Sequence, residues 1–367
     1  AIADASPLYN LRKVEENVFI EADYIKTSIN DFIANITKNS ELQNVLAGNL
    51  PLYAGVKDKT PTYIHALINN FYIQSAWRII GGSDAIAKSL ADSIRSFGGE
   101  IRTNCEVTEI VCDDTHAVGV RLADGDYIEA DSFISNIHPQ ATIAMVESHL
   151  IRKAYRARIN DLDNTISNFT LYIKFKEKAT PYLNYNYYFY EDKDVWAANN
   201  RQSGDPLRSY LYMHQCAEPN QQYGQSAEMI GYMKFSEVAQ WADSKVGRRG
   251  DAYREFKQRT AEHYLDVLEQ SFPGIRNAID SYETSSPLTY RDYTATKDGS
   301  MYGIIRDKNF PTQTLVSQRT KIPNLFMTGQ NINSHGILGV TIGAALTCAE
   351  FLGLNKIIDE IEGHGRR

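Results

Sequence analysis

The sequence has no run of about 18 consecutive apolar residues, the minimum for a helix that crosses a bilayer. It also has no basic start followed by an apolar stretch, the pattern of a secretory leader. Cysteine is scarce. Cys105, Cys112, Cys216 and Cys348 form no CxxC pair and have no histidine at ligand spacing, which excludes a thiolate metal site and predicts a reducing compartment. Three of them fall in patterned strand or helix segments, which predicts small buried thiols. Basic excess is missing as well: the net charge is −7, with no basic stripe, which excludes a nucleic-acid partner. The fingerprint GxGxxG is absent, because Gly81-Gly82, Gly98-Gly99, Gly247/Gly250 and Gly363/Gly365 lack its spacing. No Ser-His-Asp or Cys-His arrangement and no carboxylate pair is legible, so no catalytic residue is assigned. These absences predict a cytoplasmic protein without a metal, with peripheral contact to a membrane as the alternative. The chain opens on Ala1 rather than methionine, which suggests processing or truncation.

What is present begins with helices. Ile25, Ile29, Phe32, Ile33 and Ile36 recur at spacings of three and four, which predicts an amphipathic helix over Ala22–Ile36. Its apolar face carries no tryptophan and its polar face few cations, so core packing is expected rather than docking on a membrane. A loop over Gly48–Pro61 and a second helix over Tyr63–Trp77 follow. Gly81-Gly82 then forms a turn, Ser83 offers an N-cap, and Ile86, Leu90, Ile94 and Phe97 mark a helix that Gly98-Gly99 ends. Strands are expected over Ile101–Cys112, Ala117–Leu122, Tyr127–Ala130 and Ser132–Ser135. From Ile166 onward, short aromatic segments between Pro, Gly, Asn and Asp predict a largely antiparallel sheet. Asp251–Phe272 reads as a long amphipathic helix stopped by Pro273-Gly274.

The C-terminal segment carries the chemistry. A short buried strand over Asn324–Thr328 leads into a glycine-containing loop, Gly329–Gly339, and then a helix over Val340–Leu352. A helix N-terminus presents unpaired N–H groups and partial positive charge, which suits a phosphate or an electron-rich ring edge. That helix is apolar on most sides, so its burial is expected. Taken alone, these features equally describe a buried terminal helix with a glycine-rich entry.

The pattern also resembles the phytoene desaturase, carotenoid isomerase and retinol saturase group of the amine-oxidase-like flavoproteins. Asn324-Leu325-Phe326-Met327-Thr328-Gly329 is similar to that group's last strand and turn, and Ser334–Val340 stands at its glycine-rich loop. Gly81-Gly82, Leu90, Gly98-Gly99, Ile101, Val107 and Ile110 match a second block. Pro287–Tyr290 with Gly299–Gly303 is similar to a third. The resemblance covers essentially the whole chain. It implies an α/β plus α+β fold, in which a Rossmann-like FAD/NAD(P)-binding domain interleaves with a substrate domain on a mixed, largely antiparallel sheet. It implies a helical substrate-side region over 1–76 and FAD-binding segments over 77–150 and 301–367. The substrate domain is then 151–300.

For cofactor binding it implies Val107 at the adenine, Gly329 and Gln330 along the pyrophosphate and ribityl chain, and Gly339, Val340 and Thr341 at the pyrimidine edge. The missing GxGxxG departs from the group, so that domain is expected to be incomplete. The expectation is the larger part of an FAD-dependent oxidoreductase acting on carbon–carbon bonds of an apolar, polyprenoid-like substrate, and binding FAD weakly or not at all by itself. A flavin amine oxidase acting on a C–N bond and a cofactor-free binding module are the alternatives.

Other residues are weighed more plainly. His335 would lie near the flavin, but a loop histidine tied to backbone is the expected role. His138 is expected in a turn, and His65 and His214 in structural roles. The tyrosine cluster over Tyr182–Tyr190 reads either as an aromatic wall or as good strand formers on a half-buried sheet.

Overall fold

The computed structural model describes residues 23–200 and 202–365. The first expected helix is broken in two. A turn at Asp23–Lys26 precedes helix α1, Ile29–Ile36. Ser28 between them is extended, bridges Pro61 and caps α1 by accepting from the Asp31 N–H at 3.1 Å. An N-cap side chain satisfies an otherwise orphaned amide, and here it outweighs the continuous apolar pattern. Ala22 lies outside the described residues. Helix α2 (Ser40–Ala47) follows, and helix α3 (Thr62–Gln74) ends three residues earlier than expected, where Ser75 turns extended. Ile25, Ile29, Ile33, Leu50, Tyr63 and Leu67 form one small core.

Helix α4, Asp84–Ser96, forms where the spacing predicts, and Gly98 at φ +83° closes it. Yet none of its residues is buried: Leu90 is 61% and Ile94 46% exposed, and Phe97 after it is 92% exposed. An amphipathic stripe therefore faces outward, without a covering element among the described residues. Strands β1 (Val107–Cys112), β2 (Ala117–Leu122) and β3 (Tyr127–Glu129) make an antiparallel meander. The first begins six residues later than expected, at Val107 rather than Ile101.

Strand β4 (Phe133–Ser135) leads into helices α5 (Pro139–Ala144) and α6 (Lys153–Asn160). His138 caps α5 through Nδ1, which accepts from the Gln140 N–H. Then come β5 (Ser167–Phe175), β6 (Asn186–Tyr190), β7 (Ser209–His214) and β8 (Ser226–Met233). Helix α7 (Asp251–Ser271) and strand β9 (Ile279–Ser285) follow. The sheet runs β6-β7-β8-β5-β9, antiparallel throughout. Period-two alternation splits its side chains. Phe169, Leu171, Tyr210, Tyr212 and Met229 join Tyr264 and Leu268 of α7 in the main core. The opposite face carries Tyr188, Leu211, Ile230, Tyr232 and Tyr172 together with the polar Asn168, Thr170, Ser209 and Glu228.

Helix α8 (Pro287–Thr294), strand β10 (Leu325–Met327) and helices α9 (Gly336–Leu352) and α10 (Leu354–Gly365) complete the described chain. Strand β10 pairs in parallel with β4, Leu325 opposite Phe133 and Met327 opposite Ser135. Asn324 ties the junction: its amide donates to the carbonyls of Ala117 and Asp131, and its Oδ1 accepts from the Ala117 N–H. Ile110, Ile143, Ile159, Leu325 and Met327 fill the core beneath.

Two expectations about burial are corrected. Helix α9 buries only Gly343, Leu346 and Thr347, while Ile337, Leu338, Phe351 and Leu352 are exposed. The four cysteines are free thiols and none is fully buried, Cys348 being exposed. Among the described residues no helix is long and apolar enough to cross a membrane, and no group of His, Cys, Asp and Glu could hold a metal ion.

Candidate functional site

The loop between β10 and α9 is fixed from beneath by one side chain. Arg306 donates to the carbonyls of Asn331 (3.2 Å), Ile332 (2.8 Å) and Asn333 (3.1 Å), and also to that of Thr314. A guanidinium presents five donors in a planar fork, so it can hold several divergent carbonyls together. Arg306 has no carboxylate partner among the described residues, and burial lowers its pKa from the ordinary arginine value. Asn331 adds a second tie, its Oδ1 accepting from the Ile304 N–H at 3.0 Å.

His335 ends this loop. Its ring lies 4.4 Å from that of Tyr302, centroid to centroid, and its Nε2 meets the Leu52 carbonyl at 3.1 Å. A carbonyl can only accept, so Nε2 carries the proton and Nδ1 is left as an acceptor. The Tyr302 hydroxyl donates to the neighbouring Pro51 carbonyl at 2.9 Å. Tyr302 and His335 together pin the Leu50–Leu52 turn against the loop.

Two small cavities flank Tyr302. One, about 30 Å³, is lined by Tyr53, Thr165, Tyr302, Arg306, Gln330, Asn333 and His335, among others. The other, about 20 Å³, lies between Tyr302 and the sheet face at Leu211, Ile230 and Tyr232. On the first side, the Asn333 Nδ2 is buried without a hydrogen-bond partner. Helix α9 begins at Gly336, where φ is +79°, so the N–H groups of Gly336, Ile337 and Leu338 have no intrahelical acceptor. The orphaned amide belongs to a residue of the cavity wall, and the free helix N-terminus follows directly after His335, the last residue of that wall. This donor set fits an electron-rich, carbonyl-bearing ring edge.

The residues singled out from sequence are spread along this region. Gly329 turns the chain after β10 with φ +91°, and a Cβ there would lie 2.1 Å from Oδ1 of Asn136. That is a close approach only glycine allows. Gln330 lines the first cavity. Gly339, Val340 and Thr341 sit in the second turn of α9, one turn past the free amides, because the helix starts at Gly336 rather than Val340. The Thr341 hydroxyl donates back to the Ile337 carbonyl at 2.7 Å. Val107 opens β1, paired with Leu122, and does not line the cavities. Sequence reasoning missed Arg306, Asn331 and Asn333. The signal for Arg306 was weak: one cation between apolar Ile304-Ile305 and a loop.

The histidines bear on acid stability. Burial lowers His65, His214 and His335 from 6.5 to about 4. His65 bonds the Tyr53 hydroxyl and His214 the Tyr212 hydroxyl, which makes both structural. All three are therefore neutral in the fold and take up a proton more readily when unfolded. Their contribution is intact above about pH 6.5 and is lost as pH falls toward 4. The midpoint of thermal unfolding should hold steady from pH 8 to 7 and fall steeply between pH 6 and 4, with roughly a few kcal/mol at stake. A flat profile across that window would show these rings to be protonated or exposed.

The two-part architecture consists of the parallel pair β4–β10 with its glycine turn and a separate five-stranded antiparallel sheet. The chain belongs to the flavin-containing amine oxidoreductase family, whose model matches residues 40–349. It is 24% identical over 363 residues to the all-trans-retinol 13,14-reductase of Danio rerio, covering 91% of this chain and 58% of that protein. It is 23% identical to the neurosporene-forming phytoene desaturase of Cereibacter sphaeroides, covering 82% and 58%. Among solved structures, an oxidoreductase from Methanosarcina mazei superposes with TM-score 0.61 at 16% identity, covering 88% of this chain and 68% of that one. The chain thus spans 58% of the length of both curated relatives.

Proposed function

We propose that the chain is the larger part of an FAD-dependent oxidoreductase acting on a carbon–carbon bond of an apolar, polyprenoid substrate. The observation that carries this reading is the meeting, at Tyr302, of a donor-rich loop and a carbon-rich sheet face. Bound there, flavin would supply hydride transfer. The chain's own residues would bind and orient. The N–H groups of Gly336–Leu338 and the Asn333 amide would face the ring edge, with Gly339, Val340 and Thr341 as the turn behind them. Gly329 and Gln330 would follow the pyrophosphate and ribityl chain, and Val107 the adenine. Tyr188, Leu211, Ile230 and Tyr232 would lay the substrate across the ring and exclude water from it.

In this reading, 77–150 and 301–367 together form the cofactor domain, and 151–300 the substrate domain. Its phosphate-binding turn belongs to a segment outside this chain. That segment would cover the outward stripe of Leu90, Ile94 and Phe97, which supports a split cofactor site. The relatives' names, retinol reductase and phytoene desaturase, support a polyene substrate.

The test is a flavin titration of this chain beside the longer protein. The longer protein should hold stoichiometric FAD, whose visible absorbance is bleached on reduction and restored by a polyene acceptor, while this chain should bind FAD weakly. Tight stoichiometric FAD in this chain alone would overturn the split site. No flavin in the longer protein would favour a cofactor-free binding module, and turnover of amines but not polyenes would favour C–N chemistry.

A further inference from the structure

The wall of the first cavity beside Tyr302 carries a single formal charge, that of Arg306, and neither aspartate nor glutamate is among its lining residues. The partners of Arg306 are carbonyl oxygens, which bear no net charge. Asp307, its neighbour in sequence, is turned elsewhere. Its Oδ1 accepts from the Asn309 backbone N–H at 2.8 Å and side-chain amide at 2.9 Å, and its Oδ2 lies 3.8 Å from Lys59. The charge of Arg306 is felt across the wall. Burial holds His335 down to about 4, the Leu52 carbonyl opposes this, and the Arg306 charge adds to it.

Arg306 also orients dipoles. In a trans peptide the C=O and the following N–H point in opposite directions, and every described peptide bond is trans. Drawing the carbonyls of Asn331, Ile332 and Asn333 to the guanidinium therefore turns the N–H groups of Ile332, Asn333 and Ser334 away from it. That of Ile332 reaches the Gly329 carbonyl at 3.1 Å, whereas those of Asn333 and Ser334 meet no acceptor among the described residues. Successive amides aimed outward, backed by an uncompensated cation, make the loop electropositive.

We propose that Arg306 fixes the charge of the ring held at this loop, so that the reduced flavin keeps one negative charge at its pyrimidine edge. This rests on the reading of the loop as the flavin site. Reduction by two electrons then takes up one proton, at N5, and N1 keeps its electron pair instead of binding a second. A fixed charge and pre-aimed dipoles stabilise that anion without reorganising.

The test is the midpoint potential of FAD bound to the longer protein, titrated spectroelectrochemically between pH 6 and 7.5. One proton per two electrons gives a slope of about 30 mV per pH unit, and two protons give about 60 mV. The wild type should show the shallow slope. Arg306→Met should steepen it and lower the midpoint at pH 7 by about 30 mV or more, a tenfold loss in the equilibrium for reduction. Arg306→Lys, which keeps the charge without the fork, should leave both near wild type even though it loosens the loop. Asn331→Asp sets a carboxylate beside the guanidinium while its Oδ1 still accepts from the Ile304 N–H, and should act as Arg306→Met does. It decides the matter if Arg306→Met does not fold or hold flavin. A wild-type slope near 60 mV overturns the role of Arg306 and leaves the flavin site standing. So do Arg306→Lys as displaced as Arg306→Met, and an Asn331→Asp protein that matches the wild type. A longer protein without flavin overturns the site itself.

Discussion

Replacing Gly299 with alanine should cost about 3–4 kcal/mol of stability, the largest effect expected from a single methyl group in this protein. Gly299 has φ +62°, a region that costs an L-residue roughly 1–2 kcal/mol. The added Cβ would lie 2.0 Å from the Pro287 carbonyl oxygen, which is backbone and cannot rotate away. Pro287 opens α8 and is held by the Ser286 cap, so α8 or the 299–303 loop must move bodily. Displacing packed backbone adds about 1–3 kcal/mol. The loop carries Tyr302, so the stack on His335 should loosen as well. Urea unfolding, with near-UV circular dichroism for the tyrosine environment, reads both effects. A loss below about 1 kcal/mol would mean the loop relaxes freely, contrary to this account.

Arg306→Met should be comparably severe, at about 3–5 kcal/mol. Methionine keeps the apolar stem but no donor, so the carbonyls of Thr314, Asn331, Ile332 and Asn333 all lose their partner. Each buried acceptor left unsatisfied costs about 1–3 kcal/mol, less where water enters. Arg306→Lys discriminates between charge and geometry. One ammonium cannot span four divergent carbonyls, so lysine should recover less than half of the loss. Full recovery by lysine would show that the positive charge, not the fork, holds the loop. Equilibrium unfolding of the three proteins under one set of conditions decides it.

Local pattern was legible in the sequence wherever one segment determines its own structure. The stripe of Ile86, Leu90 and Ile94 ended by Gly98, the turn from β1 into β2 with β2 itself, and the long helix before Pro273 all formed where spacing placed them. The alternating tyrosines of β6 likewise divide between the two faces of a sheet: Tyr187 packs against the main core and Tyr188 faces the other side. Burial was less legible. Periodicity tells which face of α4 is apolar but not whether anything lies against it, and uniform apolar composition overstated the burial of α9. A cap outweighed periodicity at Ser28. In the candidate site, glycine spacing marked Gly329 and the entry to α9. It missed the helix start by one turn, because Gly336 rather than Gly339 adopts the positive φ. Arg306 had only a weak local signature, one cation after Ile304-Ile305, since three of the four carbonyls it holds lie 25 to 27 residues further along.

Strands β4 and β10 pair although roughly 190 residues separate Phe133 from Leu325. The five-stranded sheet and its helix lie wholly between them. Closing so long a loop from an unfolded chain is entropically slow, but a folded insertion whose ends emerge together shortens the effective loop. On the ribosome, β4 leaves the exit tunnel long before its partner is translated. The edge of β4 that β10 will occupy then waits unpaired while the intervening sheet folds, and it is a natural target for chaperone binding until β10 arrives.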